Sequence, residues 1–280
     1  QLQSIHPLTF DVFFATASLY FSFHYFENPT TKNALLFMVI FGLTLLERFT
    51  LVVTILPVCI LVIQQYGFTS ITVKKVCFLF FIGVISFSLF LVPWMYRNYL
   101  HTHRFEMTSG TYRYLWVGSL SETEGTNNLI NGDSYYELLP QQPTQWNQLS
   151  FDEQMHFYKT SYLKTLNDQP FHIAKMWTIK IKNFFWFSKS SGSTYRLSDG
   201  NWAILLFKIS RGALLLGAFI GLIIYWKKTY WLFSALIGLA VLQSFFYTES
   251  RHIMPFIFIL YLLFFLFINK IIEYKNQKLM

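Results

Sequence analysis

Three arginines carry most of the chemistry this sequence offers. Arg48 follows Glu47 inside an apolar stretch, Arg97 lies in Pro93-Trp94-Met95-Tyr96-Arg97-Asn98-Tyr99, and Arg251 stands in Glu249-Ser250-Arg251-His252. A guanidinium presents a planar fork of donors that can grip a phosphate through two oxygens, a role in which lysine is not equivalent. Glu47, Tyr96 and His252 are candidate supporting groups beside those arginines. Ionisable side chains this close to hydrocarbon are costly and mark functional positions by default. The plainer alternative for each is an arginine anchored at a membrane interface, with Arg48 paired to Glu47. Asp11 opens the first apolar run, where the positive end of a helix dipole favours a carboxylate. Three arginines converging on one membrane face would suit a polyprenyl-phosphate headgroup; spacing alone does not show convergence.

Other chemistries find less support. There is no phosphate-cradling glycine loop, no GxSxG, no HExxH and no CxxC pair. His101 and His103 lack a third ligand at suggestive spacing and read as interfacial histidines; the sequence identifies no cofactor, and a divalent metal stays open without a residue pattern to support it. Cys59 and Cys77 sit in or beside apolar runs, where burial rather than a disulfide is expected.

The elements that must position these residues are apolar. Of 280 residues, 54% are hydrophobic and 13% charged, where a soluble domain carries about 25% charge. Thirty-two phenylalanines exceed what one soluble core needs. The net charge of +8 does not form a nucleic-acid surface, because residues 95–201 hold ten Lys/Arg against nine Asp/Glu. The excess lies in short segments between apolar runs, at Lys32, Lys74, Lys75, Lys227, Lys228, Lys275 and Lys278. That is a topology signal.

The expected fold is an all-α polytopic membrane protein of about seven spans. Four fall within residues 1–94, a large extracytoplasmic region with interfacial helices covers 95–201, and three spans with a short cytoplasmic tail fill 202–280. The apolar block 34–63 would stretch about 45 Å as one helix, longer than a ~30 Å hydrocarbon core. Two short helices turning at Glu47-Arg48 also put all the lysine clusters on one side. The next span, 76–94, is expected to end at the Pro93–Tyr99 motif. Within 95–201, residues 107–143 read as irregular loop. Ser150-Phe151-Asp152-Glu153 reads as a helix start, running to about Leu166 and broken by Asn167-Asp168-Gln169-Pro170. A second helix from His172 to about Phe187 mixes Lys175, Lys180 and Lys182 with aromatics, as an interfacial helix does. Lys208 and Arg211 read as membrane anchors.

Four segments together resemble a GT-C-type integral membrane glycosyltransferase, of the dolichyl-phosphate-mannose protein mannosyltransferase and aminoarabinose lipid A transferase group. Gly42-Leu43-Thr44-Leu45-Leu46-Glu47-Arg48-Phe49-Thr50 is similar to the family's Gly-Leu-x-x-Leu-Thr-Lys/Arg-Pro segment between two short helices, with Glu for Thr and Phe for Pro. Pro93 to Tyr99 resembles its Pro-Trp-x-x-Arg-Asn-Tyr exit from a span. Asn167 to Trp186 resembles the stretch closing its outer loop region, and Ser250-Arg251-His252-Ile253-Met254-Pro255-Phe256 its last outer turn.

The resemblance implies sugar transfer from a polyprenyl-phosphate donor to a lipid, protein or polysaccharide acceptor, on the outer face of a bacterial inner or plasma membrane. Arg48 and Arg251 would match its basic residues near the donor phosphate, with Arg97 a third contact. Asp11 is the nearest match to a second acidic residue of the family, with His6-Pro7 as the other alignment. The family's main general base would lie upstream of Gln1, so the chain reads as an N-terminally truncated fragment, inactive by itself. Runner-up readings are an O-antigen polymerase or ligase and a transporter or flippase of lipid-linked saccharides. A transporter should show broken helices repeated in two halves and charges at mid-membrane, and no repeat is visible.

Overall fold

The computed structural model describes residues 7–107, 110–130, 133–139, 146–187, 202–246, 248 and 250–279. Among them the chain is helical with no strand, apart from one isolated antiparallel bridge between Asn128 and Ser134. Two compact units result. The first comprises Gln1–Met107, Ala213–Leu239 and Met254–Met280, the second Thr108–Gly212 and Ala240–Ile253.

In the first unit, α1 (Pro7–Glu27) and α2 (Thr31–Glu47) pair through a tight turn. The Thr30 hydroxyl caps α2 by accepting from the Asn33 amide at 3.2 Å, and Asn33 Nδ2 donates to the Asn28 carbonyl at 2.8 Å. Helix α2 stops at Glu47, and Arg48 is extended (φ −154°, ψ 108°). A 3₁₀ segment, Phe49–Ile55, then leads into α3 (Leu56–Tyr66). The break leaves little unpaired backbone: the Arg48 amide still donates to Thr44 O, and its carbonyl accepts from Leu51 N, both at 3.0 Å. Every fourth residue of α2, at Phe37, Phe41 and Leu45, faces a core shared with Val58, Val62, Leu79, Ile82 and Leu91.

Small hydroxyls tie these helices together where lipid supplies no hydrophobic drive. Ser18 and Thr54 share a buried 2.9 Å hydrogen bond, Thr44 Oγ1 donates to Phe14 O at 3.2 Å, and Ser86 Oγ donates to Met38 O at 2.9 Å.

Helix α4 (Ser70–Ser86) runs through a π-turn, Phe87–Leu91, directly into α5 (Val92–Thr102). The span therefore does not end at Pro93, as the sequence suggests. Proline has no amide to give and its ring crowds the carbonyl four residues back, here that of Leu89. The wider π-turn encloses Leu89 and relieves that crowding, so Pro93 sits at the head of α5 without stopping the helix. The chain turns instead at His103, whose φ of 55° is left-handed.

The second unit contains α6 (Thr111–Val117), α7 (Phe151–Asp168) and α8 (Pro170–Phe185). Helix α7 begins with a full capping box. Ser150 Oγ accepts from Glu153 N at 3.3 Å, and the Glu153 carboxylate accepts from the Ser150 hydroxyl and from Ser150 N, each at 2.7 Å, which together hold that carboxyl below its usual pKa. Helix α8 starts two residues earlier than His172, because Pro170 is well suited to a first helical turn. The described residues between 107 and 139 are less irregular than expected. Trp116, Val117, Tyr135 and Leu139 pack on Trp146, Met155 and Tyr158. Ring centroids lie 5.2 Å apart for Trp116–Tyr158 and 5.4 Å for Trp146–Tyr158.

The chain closes with α9 (Trp202–Ile224), α10 (Trp226–Ser244), a 3₁₀ segment Ser250–Phe256, and α11 (Ile257–Leu279). Among the described residues, four helical stretches are long and apolar enough to cross a membrane: Phe49–Tyr66, Ser70–His101, Leu205–Ile224 and His252–Gln277. This fits an all-α membrane protein, with four such stretches rather than the expected seven. Helix α2 is only 17 residues long. Helix α1 is diluted by Asp11, His24 and hydroxyl residues, and α10 by Lys227, Lys228, Gln243 and Ser244.

Helix α9 meets α11 along Gly217 and Gly221, four residues apart on one face. A Cβ at Gly217 would strike the Phe264 ring, and one at Gly221 the Leu263 backbone carbonyl. Such small-residue stripes let helix backbones approach closely in membranes. Gly221→Val should therefore lower stability by about 3 kcal/mol, the upper range for overpacking. The check is thermal unfolding in detergent beside Gly67→Ala, which meets no neighbour but sits at φ +60°.

Candidate functional site

The first unit brings together two of the residues singled out by type. Arg48 Nη1 donates to Asp11 Oδ2 at 2.6 Å, across 37 positions of sequence. The Asp11 side chain is 6% exposed and that of Arg48 22%, so the pair is largely withdrawn from solvent. The helix break makes this contact. Because α2 ends at Glu47, Arg48 leaves the helical path and reaches the start of α1. Glu47, the neighbour that might have paired with Arg48, stays exposed. Asp11 is thus more than a charge resting on a helix dipole. Its carboxylate engages one terminal nitrogen and fixes the guanidinium, whose remaining donors have no protein partner among the described residues. That leaves a held cation able to meet a second anion.

Arg97 stands apart in its contacts. Its guanidinium lies 4.9 Å from the Trp94 ring centroid, an exposed cation–π contact one turn away on α5. Tyr96 is 56% exposed. The motif is braced by the returning chain: Asn98 Nδ2 donates to Glu106 O at 2.9 Å and Trp94 Nε1 to Met107 O at 3.3 Å. His101 lies in the last turn of α5, and the His103 ring packs edge-on to Tyr99. No three His, Cys, Asp or Glu residues come together as a metal site among the described residues.

In the second unit, His252 is buried in the 3₁₀ segment. The side chain of Arg251, all of Glu249 and His6 lie outside the described residues. The second unit also holds a buried polar core that residue types alone did not reveal. The loop 119–126 is clamped from two directions. On the α8 side, His172 Nε2 lies 2.7 Å from Ser119 O, and Asn183 Nδ2 donates to Glu124 O at 2.8 Å. On the other side, Thr248 N donates to Gly125 O at 2.7 Å. Glu124 and Gly125 both have positive φ, 49° and 73°. A side chain at Gly125 would collide with the Lys180 stem as well as strain the backbone.

Lys180 is the surprise in this core. The interfacial reading of α8 places its lysines outward, and Lys175 and Lys182 are exposed. Lys180 instead continues the buried stripe of Ile173, Met176, Asn183 and Phe184, and is only 2% exposed. Burial pushes its ammonium down to about 7. Asn183 Oδ1 is also buried without a hydrogen-bond partner. The helical spacing 173, 176, 180, 184 was a signal that Lys180 faces inward. Arg211 is likewise more than an anchor: it is buried, with Nε donating to Phe185 O at 3.3 Å. Lys208 lies 5.6 Å from the Phe187 ring.

Comparison with protein-family models, curated proteins and solved structures finds no match to the chain.

Two outcomes are expected. Removing one partner of a buried ion pair strands the other charge, so Asp11→Ala should cost about 3 kcal/mol, while Asp11→Leu with Arg48→Met should recover most of it. A double-mutant cycle of unfolding in detergent measures this, and additive single costs would contradict the pair.

For Lys180, the folded amine titrates near 7 against 10.5 when exposed. Between those values the unfolded chain holds a proton that the folded chain lacks, so stability rises with pH across that window. The rise should reach at most about 4–5 kcal/mol. Lys180→Met should flatten it and stabilise the protein at and below neutral pH. Thermal unfolding of both proteins from pH 6.5 upward provides the check.

Proposed function

We propose that the protein is a membrane glycosyltransferase of GT-C type that takes its sugar from a polyprenyl-phosphate-linked donor. The observation that carries this reading is the Asp11–Arg48 pair at a helix break, within the segment that resembles the family's donor-phosphate motif. Departure of a phosphate needs positive charge placed before the reaction, because a preorganised cation needs no reorganisation as charge develops. Arg48, steered by Asp11, offers that charge. Arg97 and Arg251 are the further phosphate contacts in this reading. Inversion at the anomeric carbon also needs the acceptor hydroxyl deprotonated as it attacks. With its carboxylate occupied by Arg48, Asp11 suits positioning better than proton abstraction, which leaves the general base elsewhere.

In the same reading α1, α2 and α10 also cross the bilayer. Lys32, Lys74, Lys75, Lys227, Lys228 and the lysines of the tail then face the cytoplasm, and residues 95–201 lie outside.

Donor binding tests the proposal without requiring turnover. The full chain in lipid nanodiscs should retain polyprenyl phosphate but not the uncharged polyprenol. Arg48→Gln should weaken that retention about tenfold, a loss in the range of one charge-assisted hydrogen bond. Equal retention of phosphate and alcohol would sink the reading. Movement of an intact lipid-linked sugar between leaflets, with no bond broken, would favour a transporter instead.

A further inference from the structure

At the opposite end of α1 and α2 from the Asp11–Arg48 pair, the first unit has a half-open cleft of about 280 Å³. Its walls come from the last turns of α1, the middle of α3 and the start of α4. Tyr25, Phe26, Val58, Val62, Phe78 and Leu79 give it an almost wholly apolar lining, and Lys74 and Lys75 stand among them. Lys75 is fixed, with Nζ 3.0 Å from Tyr66 Oη and 4.4 Å from its ring centroid. Lys74 is exposed and carries no protein partner among the described residues. Both lysines lie in the first turns of α4, whose amide ends add positive potential.

Its depth suits a bilayer surface. The continuous helix from Ser70 to His101 has 32 residues, about 48 Å, so it overreaches a ~30 Å core and its ends stand at headgroup level. Phe68 in the adjoining turn is 92% exposed and Ile71 at the start of α4 is 51% exposed, apolar groups that belong against lipid. A cleft with a hydrocarbon floor and an ammonium rim, on a helix that leaves the hydrocarbon there, fits a molecule with the same division.

We propose that this cleft binds an anionic membrane phospholipid, with an acyl chain among Phe26, Val62 and Phe78 and the phosphate at Lys74 and Lys75. The site is separate from the Asp11–Arg48 pair and does not depend on the glycosyltransferase reading. It commits to a lipid of the surrounding bilayer: Lys74 and Lys75 alone would hold free phosphate weakly, and the apolar walls add affinity only for an acyl chain.

The test is native mass spectrometry of the full chain released from bilayers of mixed phosphatidylglycerol and phosphatidylcholine. Phosphatidylglycerol should be retained preferentially. Near an anionic headgroup each basic residue contributes enough to change affinity roughly fivefold, so Lys74→Gln and Lys75→Gln should each lower retention by that factor and the double variant by about 25-fold. Lys75→Arg should retain the lipid, which separates charge from folding. Inorganic phosphate should not displace it. Equal retention of the two phospholipids, full retention in the double variant, or displacement by inorganic phosphate would each overturn the proposal.

Discussion

Hydrocarbon offers no partner to a peptide group, and the architecture of the first unit follows from that constraint. Wherever the chain leaves a regular helix, something replaces the lost hydrogen bonds. At Arg48 the backbone changes direction while its amide and carbonyl both stay engaged, and the released side chain turns to Asp11. At Phe87–Leu91 the helix widens without opening. Ser18, Thr44 and Ser86 make the same economy between helices, each spending one hydroxyl on a neighbouring helix or its flank.

The second unit answers a different constraint. It has long polar stretches and must find its core among aromatic rings, which come from residues as far apart as Trp116 and Tyr158. Around that core lies a buried polar layer in which backbone carbonyls of one loop are claimed by His172, Asn183 and Thr248. Lys180 is the one member of the layer whose charge works against folding. An amine kept near neutrality inside a protein is an expensive thing to retain.

Much of the helical pattern was legible because length and charge constrain it. The block 34–63 was too long for one span and was marked by Glu47-Arg48, so the break could be placed to the residue. The Ser150–Glu153 capping box was legible for a similar reason, since its hydrogen bonds are local. The Asp11–Arg48 contact was not, because it depends on the angle at which α2 ends. Pro93 misled through its usual role as a helix stop, when the π-turn Phe87–Leu91 had already made room for it. The packing of Trp116, Val117, Tyr135 and Leu139 was hidden because their partners, Trp146, Met155 and Tyr158, lie later in the chain. Gly217 and Gly221 were passed over because a glycine's importance lies in what approaches it, which sequence does not display. Of the candidate phosphate contacts, the structure joins Arg48 to Asp11 and places Arg97 over Trp94, and it leaves the side chain of Arg251 undescribed.

The π-turn also sets an angular phase. Each residue of an α-helix advances the side-chain direction by about 100°, so a turn that accommodates one extra residue rotates everything beyond it by that amount. Helix α4 packs Leu79 and Ile82 into the core, and a strictly regular continuation would carry that facing onward into Pro93 and Arg97. The wider turn resets the dial before Pro93. The apolar residues of α4 and the aromatic and cationic residues of α5 can thus serve different surroundings within one uninterrupted rod.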